Sequence, residues 1–364
     1  MSSDVFYRQY RPNQLEKVVG QPNITGLLTA QIESGFMHHA YLLCGRYGCG
    51  KTTIARIIAK IANCTNRAEG STVTCNKCES CIGITNGTCA DVQEFDGGSH
   101  GHKDEICEII KMSSYSPVHA NKRVFIINEF QELSAHAKTA LLTATEEPPE
   151  TSLFIFTTTD YPKVPPALAS RCHRFFFRPV SESAIADYLL SLCKHREIQY
   201  ESSAFLRIAR VSDGSIRTAL GELQALEIAG AGSITLANCE KFLGLMGREA
   251  IYDLFAAIGD RNAGMALDIV ESIMDTSPDT GRLLGEMSQI LSAVILIGCN
   301  SSVEPSVTPD ERKRVEAIAA QINSDRIAEM SDMISDSAQN LVVNINQRLV
   351  MESIVVKMCK TGNI

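Results

Sequence analysis

The chain has 364 residues, with 34 Lys and Arg against 42 Asp and Glu and a formal net charge of −8. Hydrophobic residues make up 45% and charged residues 21%, an ordinary globular composition that excludes a mainly disordered or collagen-like chain. The length predicts two or three domains. No apolar run reaches the roughly 18 residues of a membrane span; the longest, 290–297, contains Ser292, so no membrane partner is expected. The N-terminus opens on polar and charged residues and reads as no signal peptide. Thirteen cysteines in such a chain point to a cytoplasmic thiol pool or to metal rather than to disulfides.

The acidic excess is uneven. Residues 1–178 carry 18 basic and 17 acidic side chains, 179–242 carry 6 and 8, and 243–364 carry 10 and 17. Any nucleic-acid contact is therefore expected as a local patch in the N-terminal half.

In chain order, 40–44 is a short apolar run ending at Gly45 and reads as a buried strand. Residues 52–62 carry apolar side chains at helical spacing. Strands are expected at 92–95, 124–127, 153–157 and 174–177, with helices at 104–112 and 135–146 between them. Alternating strand and helix predict a parallel α/β sheet covered on both faces. After Arg178-Pro179 the strand signal stops. Three amphipathic helices are expected at 181–194, 202–212 and 215–229, with Gly214 and Gly230 as breaks and 230–232 as a turn. From 248 to about 360 the pattern is helical, with loops near 277–281 and 300–308. The expected domains are 1–178, 179–242 and 243–364.

Gly45-Arg46-Tyr47-Gly48-Cys49-Gly50-Lys51-Thr52 is a complete phosphate-binding loop, with a strand before it and a helix after it. Gly45, Gly48, Cys49, Gly50, Lys51, Thr52 and Thr53 are the expected phosphate-binding set. The glycines let backbone N–H groups point inward, Lys51 brings a point charge to the outer phosphates, and Thr52 places a hydroxyl on Mg²⁺. An ordinary Gly-rich turn is the competing reading. The Cys44 and Cys49 thiols read as small packing groups. Beyond the run 124–127 stand Asn128 and Glu129. The usual pair there is Asp-Glu, the Asp for the metal's water shell and the Glu to polarise the attacking water. Asn128 can accept a hydrogen bond from metal-bound water but brings no charge; Glu129 is the candidate base.

Cys64, Cys75, Cys78 and Cys81 are spaced C-x10-C-x2-C-x2-C. Four thiolates with no open position describe a structural zinc site rather than a catalytic one. The polar segment between them has little core of its own and needs such a clamp. Free or redox cysteines are the competing reading, and Cys89 is a possible substitute ligand.

The loop and its cysteine insertion occur in one order with Glu146-Glu147-Pro148-Pro149, Ser170-Arg171-Cys172 and Gly214-Ser215-Ile216-Arg217. Upstream stand Tyr10-Arg11-Pro12 and Val18-Val19-Gly20-Gln21. Together they resemble the gamma/tau subunit family of bacterial DNA polymerase III, the AAA+ ATPases of the sliding-clamp loader. The resemblance covers nearly the whole chain and weakens after about 245. It implies a P-loop AAA+ domain with a zinc-binding insertion, a three-helix lid and an all-α collar, without the long C-terminal extension of such subunits. It implies ATP, Mg²⁺ and Zn²⁺ as cofactors. It implies delta-like and delta-prime-like subunits in a pentameric ring, a sliding clamp and primer–template DNA as partners.

The resemblance also assigns roles. Arg11, Pro12, Val18 and Val19 match the segment holding the adenine end of ATP. Thr159 matches the sensor on the neighbouring strand, and Arg217 the second sensor on the lid. Arg171 matches the finger that completes the adjacent subunit's ATP site in trans. Asn128 and Thr218 stand where the family generally has Asp. Residues 97–103 are poorer in basic side chains than their counterparts. His100 and His102 are largely neutral at pH 7, which leaves Lys103, Lys111 and Lys138 as candidate DNA contacts. Three functions are then open: an ATP-driven clamp-loading motor, an ATP-binding structural subunit with weak or no hydrolysis, and another AAA+ activity such as branch migration. The zinc insertion argues against the third.

Overall fold

The computed structural model describes residues 5–99, 103–146, 148–196, 198–229, 233–243, 248–276, 279–303, 305, 307, 309–341 and 346–361. His100, His102, Glu147 and the turn expected at 230–232 lie outside the described residues, as does the Lys103 side chain. The chain packs as two compact units, Met1–Asn238 and Cys239–Ile364.

In the first unit β1 (Ala40–Cys44), β2 (Val92–Asp96), β3 (Arg123–Asn128), β4 (Ser152–Thr158) and β5 (His173–Phe176) form one sheet in the order β2-β3-β4-β1-β5. Every pairing is parallel. The side-chain alternation of a strand divides the core in two. Tyr41 and Leu43 of β1 join Val124, Ile126, Leu153 and Ile155 on one face. Ala40, Leu42 and Cys44 join Phe125, Ile127, Phe154 and Phe156 on the other. The first face packs on α2 (Pro22–Glu33) and α3 (Lys51–Asn63), through Leu28, Ile54, Ile57 and Ile58. The second packs on α5 (Lys103–Ser113) and α6 (Ala135–Glu146), through Ile106, Ile109, Ala137 and Leu141. β1, β3 and β4 are buried along nearly their whole length, which is why they read as unbroken apolar runs.

Around this sheet lie α1 (Phe6–Gln9), α4 (Glu79–Asn86) and α7 (Pro166–Ala169). Then come α8 (Glu182–His195), α9 (Ser202–Val211) and α10 (Ile216–Ile228), which bury Ile185, Leu189, Phe205, Ile208, Leu220 and Leu223. Two expectations need correction here. Strand does not stop at 178: β6 (Gln199–Tyr200) and β7 (Ser233–Ile234) form a second parallel pair. The region 179–242 also holds a fourth helix, α11 (Leu236–Phe242). Two-residue strands and a seven-residue helix are too short to show a period.

The second unit is helical: α12 (Arg248–Gly259), α13 (Ala263–Thr276), α14 (Thr280–Gly298), α15 (Pro309–Gln321), α16 (Ser324–Leu341) and α17 (Gln347–Lys360). Its core is centred on Phe255, Leu283, Met287, Ile290, Val315, Met330 and Val355. The loop expected over 277–281 gives way at Thr280, where the Asp279 side chain caps α14 by accepting from the Arg282 N–H. Among the described residues α14 is one helix long and apolar enough to cross a membrane, although polar residues interrupt its apolar run. Its Leu283, Leu284, Met287, Ile290, Leu291 and Val294 are buried in this unit's core, the placement of a core helix.

Candidate nucleotide-binding site and cysteine cluster

Gly50 caps α3 with φ of +106°, and Gly48 sits at φ of +77°, backbone conformations that side-chain-bearing residues rarely adopt. The loop thereby turns sharply from β1 into α3. It aims the first amides of α3, with their partial positive charge, at the space above the sheet. That space is a cavity of about 340 Å³. Gly48, Cys49, Gly50, Lys51, Thr52 and Thr53 form its floor. Arg11, Pro12, Val18 and Val19 form one side. Asn128 and Glu129 stand at the end of β3, and Arg217 comes from the first turn of α10.

The electrostatics fit an anion. Burial pushes the Arg11 guanidinium below its ordinary pKa, and Arg56, Arg217 and Arg8 push it further, with Glu94 opposing. Burial likewise lowers the Lys51 ammonium, against the thiols of Cys49 and Cys44 and the carboxylate of Glu129. Lys51 is buried, and its Nζ donates to the carbonyls of Gly45 at 2.7 Å and Arg46 at 2.8 Å. Arg11, Lys51 and Arg217 with the loop amides are the complement of a polyphosphate, and the carboxylates of Glu94, Asp96 and Glu129 line the same cavity.

At the C-terminal ends of β3 and β4 the Thr52 hydroxyl donates to Asn128 Oδ1 at 3.0 Å, and the Thr157 hydroxyl to the same oxygen at 3.1 Å. Glu129 has φ of +49°. Its Oε2 accepts from Gln131 Nε2 at 2.7 Å and from the Thr159 hydroxyl at 3.3 Å. Thr159 thus reaches the cavity through Glu129 and does not line it. The Arg217 guanidinium lies 4.5 Å from the Tyr7 ring centre and 5.0 Å from that of Tyr47, a cation held between two aromatic faces.

Arg171 lies off the cavity wall. Its guanidinium pairs with Glu146 at 2.8 Å and donates to the Ala167 carbonyl at 2.5 Å. Gly45 is set back from the wall as well. Of the basic residues expected near DNA, Lys138 is engaged within the chain, donating to the Gln131 carbonyl at 2.8 Å.

The sulfurs of Cys64, Cys75, Cys78 and Cys81 all lie within 4.8 Å of one another. A tetrahedron of about 2.3 Å Zn–S bonds has edges of similar size. Backbone N–H groups point at these sulfurs: Cys75 at Cys64 (3.4 Å), Cys78 at Cys75 (3.2 Å) and Cys81 at Cys78 (3.5 Å). The N–H groups of Lys77 and Cys78 pull the Cys75 thiol below its ordinary pKa. For Cys78 burial acts upward, yet the N–H groups of Cys81 and Thr65 bring it down to about 6. Burial and the hydrogen bond with Cys78 push Cys81 up. Donors converging on sulfur favour thiolates, the form that binds zinc. Among the described residues these four are the cluster able to hold a metal ion, and Cys89 is not in it.

Residues 234–364 match the family described as DNA polymerase III subunits gamma and tau domain III. Residues 20–181 match the family described as DNA polymerase III, delta subunit. The chain is 33% identical to the DNA polymerase III subunit gamma of Buchnera aphidicola over 80% of each chain. The chain belongs to the DNA polymerase III gamma/tau family. It is also 33% identical to the Bacillus subtilis subunit tau over 100% of this chain and 64% of that protein. With the Haemophilus influenzae subunit tau/gamma it is 30% identical over 97% of this chain and 50% of that protein. This gamma/tau chain thus spans between half and two thirds of those two relatives.

Sequence reasoning missed several cavity residues of this gamma/tau chain: Tyr7, Tyr10, Tyr47 and Tyr188, and the acids Glu94 and Asp96. Tyr188 donates to the Tyr10 carbonyl at 3.0 Å, and burial pushes its hydroxyl up to about 12. The tyrosines come from three separate parts of the chain, around α1, in the phosphate loop and on α8, and share no common spacing. The acids lie on β2, whose alternation reads as an ordinary strand.

Proposed function

We propose that this chain is an ATP-driven clamp-loader subunit that opens a sliding clamp and places it on primed DNA. One cavity joining the phosphate loop, the Asn128-Glu129 strand end and Arg217 carries the reading. In it the loop amides and Lys51 grip the β- and γ-phosphates, Thr52 and Asn128 hold the hydrated Mg²⁺, and Arg11 with Val18 and Val19 flank the adenosine. Bound Mg²⁺ neutralises charge on the transferring phosphoryl group. Glu129, steadied by Gln131 and Thr159, takes the proton of the attacking water. Residues 1–178 form the ATPase domain, 179–242 the lid and 243–364 the collar.

Arg171 serves the site of a neighbouring subunit, since its own chain's cavity does not include it. The partners are delta-like and delta-prime-like subunits in a pentameric ring, a clamp and primer–template DNA. The four thiolates of Cys64, Cys75, Cys78 and Cys81 hold a structural zinc.

The neutral Asn128 keeps a second reading alive, in which the subunit binds ATP but hydrolyses it weakly. ATP turnover separates the two. It is expected to rise when partner subunits, clamp and primed DNA are added, with Lys51→Ala as the blank. Tight nucleotide binding with no such rise favours the second reading.

A further inference from the structure

The Asn128 side chain makes a third hydrogen bond, on its other end. Its Nδ2 donates to Glu94 Oε1 at 2.9 Å. The second oxygen of Glu94 accepts from Arg56 Nε at 2.7 Å. Glu94 lies on β2, the sheet neighbour of β3, with Asp96 directly opposite Asn128 in the register. Thr52, Asn128, Glu94 and Arg56 therefore form one continuous chain of hydrogen bonds from the phosphate loop to the middle of α3.

The direction of this chain matters. An ionised carboxylate only accepts hydrogen bonds, whereas an amide has one accepting and one donating end. Against Glu94 the Asn128 amide has a single satisfied orientation, NH₂ toward Glu94 and oxygen toward Thr52. A carboxylate at 128 presents oxygen whichever way it turns. An amide does so only if something fixes it, and if reversed it aims a donor at Thr52 and its metal-bound water. Arg56 in turn holds Glu94 in place.

We propose that Glu94 is a positioning residue, which locks the Asn128 amide with its oxygen toward Thr52 and the magnesium's water shell. A neutral side chain then serves where a carboxylate is usual. Glu94 also sets a negative charge one hydrogen bond behind it. The inference rests on the ATP-binding reading above and adds a residue to it.

The test is titration of the full-length chain with a fluorescent ATP analogue, with and without Mg²⁺. Glu94→Gln keeps the size and an acceptor for Arg56 but lets the amide turn. Its Mg²⁺-dependent gain in affinity is expected to fall about tenfold, the usual cost of losing an outer-shell partner. Affinity without Mg²⁺ is expected to hold. Adding Asn128→Asp to Glu94→Gln is expected to restore the gain, because the new carboxylate needs no orienting. A full Mg²⁺ gain in Glu94→Gln, or a defect that Asn128→Asp does not repair, would each overturn the inference. Wild-type protein that binds no analogue at all would instead sink the ATP reading.

Discussion

Gly48 and Ser215 stand so close that a β-carbon on residue 48 would lie 1.9 Å from the Ser215 hydroxyl oxygen. That hydroxyl caps α10 by accepting from the Thr218 N–H at 3.2 Å. The phosphate loop and the helix bearing Arg217 therefore meet at a point where no side chain fits.

Gly48→Ala should displace Ser215 and uncap α10, besides forcing alanine to a φ near +77°. Loss of an N-cap costs about 1 kcal/mol, so the protein should remain folded. Arg217, in the first turn of the helix, should lose its seat between Tyr7 and Tyr47. Nucleotide affinity should fall by roughly tenfold, equivalent to about 1.4 kcal/mol, measured by titration with a fluorescent ATP analogue. Unchanged affinity would mean that the loop and α10 are not coupled through this contact.

How much of this was readable beforehand follows from geometry. β1, β3 and β4 are buried on both faces, so their apolar runs stood out, and each was extended by a residue at most at either end. The phosphate loop and the cysteine spacing were legible because each is local in the chain. What stayed hidden depends on strand order. Only the pairing of β2 with β3 brings Glu94 beside Asn128, and no spacing along the chain encodes that. The short α4, capped by the Cys78 sulfur, was concealed in a polar stretch whose order comes from the cysteine cluster.

The cysteine cluster should hold about one zinc ion per chain, detectable by elemental analysis. α3 runs from Lys51 at the phosphate loop to Asn63, and Cys64 follows directly, so the metal should anchor the far end of the helix that presents Lys51. Replacing Cys64 or Cys81 with Ser should abolish stoichiometric zinc and lower the melting temperature. A zinc-free wild type with an unaltered melt would refute the assignment.

Arg171 is paired with Glu146 and is no part of its own chain's cavity. Arg171→Ala should leave analogue affinity of the isolated chain unchanged. In assemblies with partner subunits, turnover should drop by about 10³-fold, the lower end for an arginine supplied in trans. Equal losses in the isolated chain and the assembly would place the residue's action within its own subunit.

Asp91 gives a stability prediction with a definite pH sign. Its buried carboxylate accepts from the N–H groups of Val118 (2.7 Å), His119 (2.8 Å) and Ala120 (2.9 Å), with Arg123 3.5 Å away. Burial alone would raise its pKa. The three N–H groups and then Arg123 outweigh burial and hold it below the ordinary 3.8. A carboxylate depressed in the folded state adds stability that is fully present above the unfolded pKa. That stability is lost as pH falls through the folded one. Asp91→Asn turns one acceptor into a donor facing donors, which should cost about 2–3 kcal/mol near pH 7. Urea unfolding at pH 7 should show that gap, and it should narrow below about pH 4 as the wild-type carboxylate takes up its proton. A gap that is the same at both pH values would mean that the charge of Asp91 contributes nothing to holding the 118–120 loop.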